Sequence, residues 1–372
     1  MRNNPNGSIS FFPGSSQFRA KTPNFGVDRM RNNQRVAFIT HAGLSIGGGH
    51  IIRCFALAEA FGSLGTSIRW IVNSEAHKIL LKYGAQQTSF SVVDEPFENG
   101  ADVVLSTVSR LSPDICIVDS YVASPPFLTE LRSFSHVTLL DDCRVRPVER
   151  ECDILLNYNL NAGLLGYESG QAELLLGPKY TLLRKEFWDL KPVKGDTLLI
   201  IPGASDIQNT GEQFFKWWEK DWPGAELVLG PLVESSKALR LSRMTLNTPN
   251  FSVVHNPPDL PARMAKACSV ICTSSVTSYE VLALGKPIAV FQTAENQVGI
   301  GMEIERLGLG KNLGFWGTWN ETVLKNALQY LVAEQPCTNP VPVNPRGAES
   351  AARKISTLLI QKLGGPKRPP NF

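Results

Sequence analysis

Val36-Ala37-Phe38-Ile39-Thr40-His41-Ala42-Gly43-Leu44-Ser45-Ile46-Gly47-Gly48-Gly49-His50 leads directly into an apolar stretch from Ile51 to Phe61. A short apolar run, a glycine-rich turn and a long apolar segment read as strand, turn and buried helix, the opening of a parallel α/β unit. The glycines let the backbone approach a ligand closely, and the first turn of the helix offers unpaired N–H groups to an anion. No Gly-Lys-Ser/Thr follows, so this is not a Walker loop. Ile52 stands where a dinucleotide fingerprint would need its third glycine. The turn ends in a histidine. A helix N-terminus disfavours the imidazolium, so His50 is expected to stay neutral and able to accept a proton; the alternative is a histidine that only caps the helix.

Working outward, the same pattern recurs. Val36–Ile39, Ile68–Val72, Ile115–Val118, Val137–Leu140 and Ile154–Leu156 form one set of apolar runs, and Leu198–Ile201, Leu227–Leu229, Phe251–Val254, Val270–Cys272 and Ile288–Phe291 form a second. Runs this short and this rich in Val and Ile fit strands buried on both faces, and most intervening segments are long enough for crossover helices. The alternation predicts an α/β chain of two doubly wound, Rossmann-like sheets. The boundary is expected between Leu176 and Asp196, where Gly177-Pro178, Pro192 and Gly195 interrupt the pattern. Ligands of such sheets bind beyond the carboxyl ends of the strands, so a cleft between the two is the expected site.

The composition sets limits. The chain has 372 residues, 43% hydrophobic and 19% charged, enough to fill two cores. A net charge of +3 is too mild to indicate a nucleic-acid partner and suits a small anionic ligand. No segment approaches the ~18 consecutive apolar residues of a membrane span, and Ile9 to Pro13 is too short for a signal-peptide core. The seven cysteines form no C-x-x-C pair, and Cys116 and Cys272 sit inside apolar runs. These features predict buried, reduced thiols and a cytoplasmic protein with no membrane partner. Residues 1–34 and 364–372 show no apolar period and are expected to be disordered tails. A monomer is expected.

Chemistry-bearing residues follow the strands. Asp119-Ser120-Tyr121 succeeds one run and Asp141-Asp142 another. Three carboxylates raise the question of a metal, but no histidine or further acid falls at ligand spacing. The bland reading is that at least one of Asp141 and Asp142 caps its turn. In the second half, Pro202-Gly203-Ala204-Ser205-Asp206 follows a strand. Thr273-Ser274-Ser275-Val276-Thr277-Ser278 also follows one and opens a helix, an arrangement suited to phosphate oxygens. Glu280, one turn into that helix, is placed for ribose hydroxyls or, equally, for a capping box with Thr277. Asn296 and Gln297 end the series, suited to sugar hydroxyls or to capping a helix.

In order, Gly47-x-Gly49-His50-x-x-Arg53-Cys54, Val118-Asp119-Ser120-Tyr121, Asp141-Asp142, Cys152-Asp153-Ile154-Leu155-Leu156-Asn157, Leu176-Gly177-Pro178-Lys179-Tyr180-x-Leu182-Leu183-Arg184, Ser205-Asp206-x-x-Asn209, Glu280-x-x-x-Leu284-Gly285-x-Pro287 and Glu295-Asn296-Gln297 resemble the nucleotide-sugar hydrolases of the pseudaminic-acid pathway. That family removes UDP from UDP-2,4-diacetamido-2,4,6-trideoxy-β-L-altropyranose on a glycosyltransferase-B-like fold. The resemblance implies a sugar-binding, catalytic domain over residues 35–185 and a nucleotide-binding domain over 186–363. It implies His50 as the base that activates water, with Tyr121 beside it in the catalytic set. Gly47, Gly49, Asn209, Ser274, Ser275, Thr277 and Glu280 would meet the nucleotide, and Asp119, Asn296 and Gln297 the sugar. The implied reaction is metal-independent and inverting, with no cofactor. The chain departs from the family pattern at His41, usually Asp, at Ser120, usually His, at Ala204, a glycine of the family's turn, and at Ser274-Ser275, commonly Gly-Gly. Two alternatives stay open: a glycosyltransferase of the same fold, though MurG-like transferases usually carry Pro where Arg53 stands, and a nucleotide-sugar binder without activity.

Overall fold

Strand β1 (Arg35–Thr40) is buried from Val36 onward because it has neighbours on both sides. β2 (Ser67–Val72) and β4 (Ile115–Asp119) flank it, both parallel. Beyond them lie β3 (Ser89–Val92), β5 (His136–Leu140), β6 (Ile154–Asn157) and β7 (Glu173–Leu176), in the order β3-β2-β1-β4-β5-β6-β7. A second parallel sheet takes β8 (Leu198–Ile201), β9 (Ala225–Leu229), β10 (Phe251–His255), β11 (Ser269–Thr273), β12 (Ile288–Gln292) and β13 (Lys311–Phe315) in the order β10-β9-β8-β11-β12-β13. The computed structural model describes residues 34–43, 48–206, 208–246, 248, 250–333 and 341–364. The expected tails (bar Gln34 and Gly364) and Gly47 lie outside these residues.

Every apolar run expected to be a strand is one. Three further strands, β3, β7 and β13, are edges. An edge strand keeps part of its surface in water, so Ser-Phe-Ser-Val and Lys-Asn-Leu-Gly-Phe carry no continuous apolar run, and Glu-Leu-Leu-Leu carries only a short one behind a charged residue.

Side chains alternate between two layers along each strand. Val36 and Phe38 face the cluster that contains the helix Gly49–Ser63, while Ala37 and Ile39 face the opposite cluster, with Val104, Val108, Leu128 and Leu131. The second sheet sends Leu198, Ile200 and Phe291 to its own outer layer and Leu199, Ile201 and Val290 into the cluster of the first helix. One apolar cluster therefore runs through both halves.

The last helix, Gly347–Gly364, falls in the segment 186–363 expected for the second half, yet it packs on the first. Ala348, Ala351, Ala352 and Ile355 join the cluster of the helix Gly49–Ser63. Lys362 Nζ donates to Asp153 at 2.7 Å, and Asn344 N to Pro178 O at 3.2 Å. Gly347 lies so close to the backbone of Thr181 that any side chain there would overlap it. No described helix is long and apolar enough to cross a membrane. The six described cysteines are all free, Cys54, Cys116, Cys152 and Cys272 among the buried ones.

Candidate active site

Each sheet reverses its strand order once, between β1 and β4 in the first and between β8 and β11 in the second. A crevice opens at such a point, beyond the carboxyl ends of the strands. Register aligns those ends: Thr40 pairs with Asp119, and Asp119 with Leu140. Position 41, positions 120–121 and positions 141–142 are thus brought to one edge. The turns after β8 and β11 stand across from them, and a cleft of about 640 Å³ lies between. Gly48, of the glycine loop, and Ala204, after β8, approach so nearly that a Cβ on Gly48 would sit 3.1 Å from that of Ala204.

His50 lies in the first turn of the helix Gly49–Ser63 and lines the cleft. Its Nδ1 is 2.6 Å from Oδ1 of Asp119, a carboxylate with no exposed surface. Arg53, one turn further along the helix, donates Nε to Asp119 Oδ2 at 2.7 Å and Nη2 to Oδ1 at 2.6 Å. Its Nη1 reaches Asp142 Oδ2 at 2.6 Å. Burial opposes the charge on Asp119, but Arg53 and His50 overcome this and hold the carboxyl well below the usual carboxylate range. Asp142 is likewise held low by Arg53 against its burial. The ionised Asp119 accepts the Nδ1 hydrogen of His50 and leaves Nε2 as the ring nitrogen with a free lone pair. Tyr121 packs its ring against His50 at 4.7 Å between centroids and donates its hydroxyl to Asp142 at 2.8 Å. Asn296, from the second half, donates to that same hydroxyl at 2.8 Å, so the two halves are bonded across the cleft.

His41 and Ser120, two of the departures from the family pattern, touch: Ser120 Oγ lies 3.1 Å from His41 Nε2. Burial, then the neighbouring His50, holds the His41 imidazole down at about 4, although Asp119 pulls the other way.

In the second half, Gly203 turns the chain after β8 at φ 99, a conformation that favours glycine. Ser275 and Thr277 line the cleft at the start of the helix Val276–Ala283. Ser274 also lies there but is buried, its hydroxyl spent on Phe291 O and Gln297 O. The capping box of Thr277 and Glu280 does not form. Ser275 is the N-cap residue, and Glu280 is buried and pairs with Arg184 at 3.2 Å. Burial raises the Glu280 carboxyl, and Arg184 offsets part of the rise. Glu280 and Thr277 line a side pocket of about 360 Å³, and Thr277 lines the main cleft as well.

Two expected contacts need correction. Asp119 cannot meet a sugar, because it is wholly buried behind His50 with both oxygens bonded; its place is to orient His50 and Arg53. Asn209 sits in a shallow surface depression with Glu212, Lys216 and Trp316, away from the cleft, while Ser205 and Asp206 line the cleft instead. Asn296 does not cap its helix but reaches Tyr121, and Gln297 accepts from Thr293 N at 2.9 Å, bracing the loop after β12. Arg53, which belongs to the family motif, was not among the expected site residues. Its signal is visible: a single arginine inside the apolar run from Ile51 to Phe61, one helical turn after His50.

Asp141, Asp142 and Cys143 bring possible metal-ligand atoms within 4.8 Å of one another. Both carboxylates are engaged, Asp142 by Arg53 and Tyr121, and Asp141 by Tyr167 at 2.5 Å and by Arg144 N at 3.0 Å. The bond to Arg144 N is the turn cap expected of one of the pair.

No family model matches the chain. Among curated proteins it is similar to SpsG, a spore coat polysaccharide biosynthesis protein of Bacillus subtilis, with 20% identity over 299 residues, covering 75% of this chain and 83% of SpsG. It is also similar to an uncharacterized protein of Methanocaldococcus jannaschii, with 22% identity over 278 residues, covering 71% of this chain and 56% of that protein, little more than half its length. Among solved structures, MurG of Acinetobacter baumannii superposes with a TM-score of 0.59 at 14% identity, over 88% of this chain and 99% of MurG. The UDP-GlcNAc 2-epimerase of Methanocaldococcus jannaschii, solved with UDP-GlcNAc and UDP, gives 0.59 at 12% identity, over 87% of this chain and all of that one. Two parallel sheets of seven and six strands, each reversing its strand order where the cleft opens, together with these superpositions, give the chain a glycosyltransferase-B-like fold.

Proposed function

We propose that this chain hydrolyses a UDP-activated amino sugar of the diacetamido-trideoxyhexose class at its anomeric carbon. The observation that carries the reading is His50, held by the buried Asp119 and facing a cleft whose far wall is a helix start rich in hydroxyls. Nε2 of His50 takes a proton from a water as the water oxygen bonds to the anomeric carbon. The bond from that carbon to the UDP oxygen breaks, its electron pair leaves with UDP, and the anomer inverts. Asp119 stabilises the imidazolium as it forms. UDP is a weakly basic leaving group, so its charge needs stabilising more than its oxygen needs a proton. The N–H groups opening the helix Val276–Ala283, with Ser275 and Thr277, answer that need. The nucleoside extends into the side pocket, where the Glu280 carboxylate accepts from ribose hydroxyls. The similarity to a polysaccharide biosynthesis protein and the superposition on a structure that holds UDP-GlcNAc support the nucleotide-sugar class.

NMR of purified protein with UDP-linked amino sugars tests the reading: a free reducing sugar should grow in, first in the inverted anomer. If product forms only when a sugar or lipid hydroxyl is supplied, the chain is a transferase and the hydrolase reading fails. The same assay should run undiminished in EDTA, because the carboxylates beside His50 are already bonded to Arg53, Tyr121 and Tyr167. Turnover that stops in EDTA and returns with Mg²⁺ would remove the metal-free mechanism.

Glu280→Gln keeps the shape and one acceptor but removes the charge. UDP affinity measured by calorimetry is expected to fall roughly tenfold, the scale of one charge-assisted hydrogen bond. An unchanged affinity would leave Glu280 only its bond to Arg184.

A further inference from the structure

The second histidine of the cleft is engaged through the opposite ring nitrogen. His41 follows β1 and lines the cleft, its ring edge-on to Phe97 with 4.9 Å between centroids. Its Nε2 lies 3.1 Å from the Ser120 hydroxyl oxygen. That oxygen already accepts from the backbone N–H of Val122 at 3.1 Å. The hydroxyl's own hydrogen needs an acceptor, and among the described residues His41 Nε2 is the one in reach. An imidazole that accepts at Nε2 carries its hydrogen on Nδ1, and among the described residues the Nδ1 of His41 has no hydrogen-bond partner. In His50 the hydrogen on Nδ1 is held inward by Asp119 and the bare Nε2 is left over. Of the two imidazoles lining the cleft, one thus keeps a lone pair unengaged and the other an N–H.

We propose that His41 is a sugar-binding residue, its Nδ1–H donating to a hydroxyl or acetamido oxygen of the substrate's sugar while His50 alone serves as base; this rests on the nucleotide-sugar reading above. Its neutrality suits the part: burial and His50 hold it at about 4, so it stays an uncharged donor in neutral solution. Glu95 and Glu98 line the same cleft and add acceptors for the sugar's hydroxyls.

Two measurements test this. In long-range ¹⁵N–¹H correlation spectra of the wild-type protein, His41 should be the Nδ1–H tautomer. In calorimetry on protein carrying His50→Asn, so that nothing turns over, UDP-N-acetylglucosamine should bind more tightly than UDP. Adding His41→Leu should cut that advantage about tenfold and leave the affinity for UDP itself unchanged, as the loss of one hydrogen bond to the sugar predicts. Should His41→Leu fail to fold, Ser120→Ala takes its place: it frees Nε2, and the sugar's advantage should again shrink while UDP binding holds. An Nε2–H tautomer, or a sugar advantage that the substitution leaves untouched, overturns the proposal. A wild-type protein that binds UDP-N-acetylglucosamine but hydrolyses no UDP-sugar would sink the hydrolase reading alone, since neither measurement depends on turnover.

Discussion

His50→Asn is expected to lower kcat by about 10²–10⁴-fold, the usual worth of a general base, while UDP affinity stays near wild type. Asparagine sets an amide close to where Nδ1 stood, so Asp119 keeps a donor and the buried ion cluster is not left short. What disappears is the basic nitrogen on the cleft side. In the proposed function UDP is held by the other wall, where Ser275, Thr277 and Glu280 line the cleft and its side pocket, and should not sense the change. His41 is the only other imidazole among the described cleft residues and so the other candidate base. Its imidazole, held at about 4, does not change charge between pH 5 and 8, so an acid limb of the rate in that range is not its titration. If His50→Asn keeps more than about a tenth of the wild-type kcat, short of any general-base loss, His50 is a structural histidine and the mechanism proposed here fails.

How far the sequence could be read depends on where each signal is encoded. The two sheets were legible because a strand buried on both faces must be apolar throughout, and Val36–Ile39 or Ile288–Phe291 say so locally. Of the four edges only β10 was, through Phe251–Val254; in β3, β7 and β13 water on one side admits Ser, Glu and Lys. The placement of Gly347–Gly364 was hidden for another reason: its alanines match a groove on the helix Gly49–Ser63, nearly three hundred residues away, and nothing local names the partner. In the site, residues in the turns that follow the strands were found because the end of a parallel strand fixes their place. Roles were harder. Asp119 ends its strand just where a ligand contact was expected, but burial turns it into the partner of His50. Asn209 sits only three residues after Asp206, yet the helix start carries it to the outer surface. Glu280 fits a capping box by spacing, and Arg184, from the other half, takes it instead. Side-chain partners that are distant in sequence decide each of these, and spacing along one segment is silent about them.

Arg53→Met is expected to produce the largest loss of stability. The guanidinium is almost wholly buried and carries three bonds of 2.6–2.7 Å to two carboxylates, two to Asp119 and one to Asp142. Methionine fills similar space but leaves both carboxylates in a low-dielectric interior, Asp119 with only His50 and Cys54 as side-chain donors. Removing one partner of a buried ion pair typically costs about 3–5 kcal/mol, which at ~2–4 °C per kcal/mol lowers Tm by roughly 6–20 °C. The sign of the pH dependence follows from the direction of the shifts. In wild type, Asp119 and Asp142 are held below their unfolded value, so their contribution is complete above about pH 4 and is lost only as the pH falls further, toward their folded values. Without Arg53, burial is the larger influence and favours the protonated acids. The variant's deficit should therefore be greatest at neutral pH and shrink as the pH is lowered toward about 4. Arg53→Lys should fall between, because a single ammonium cannot bridge both carboxylates as the planar fork does. Calorimetric melting of the three proteins at several pH values decides the matter. A Met variant that melts within about 2 °C of wild type at pH 7, below the shift expected from even 1 kcal/mol, would mean that Arg53 does not hold the acids that position His50.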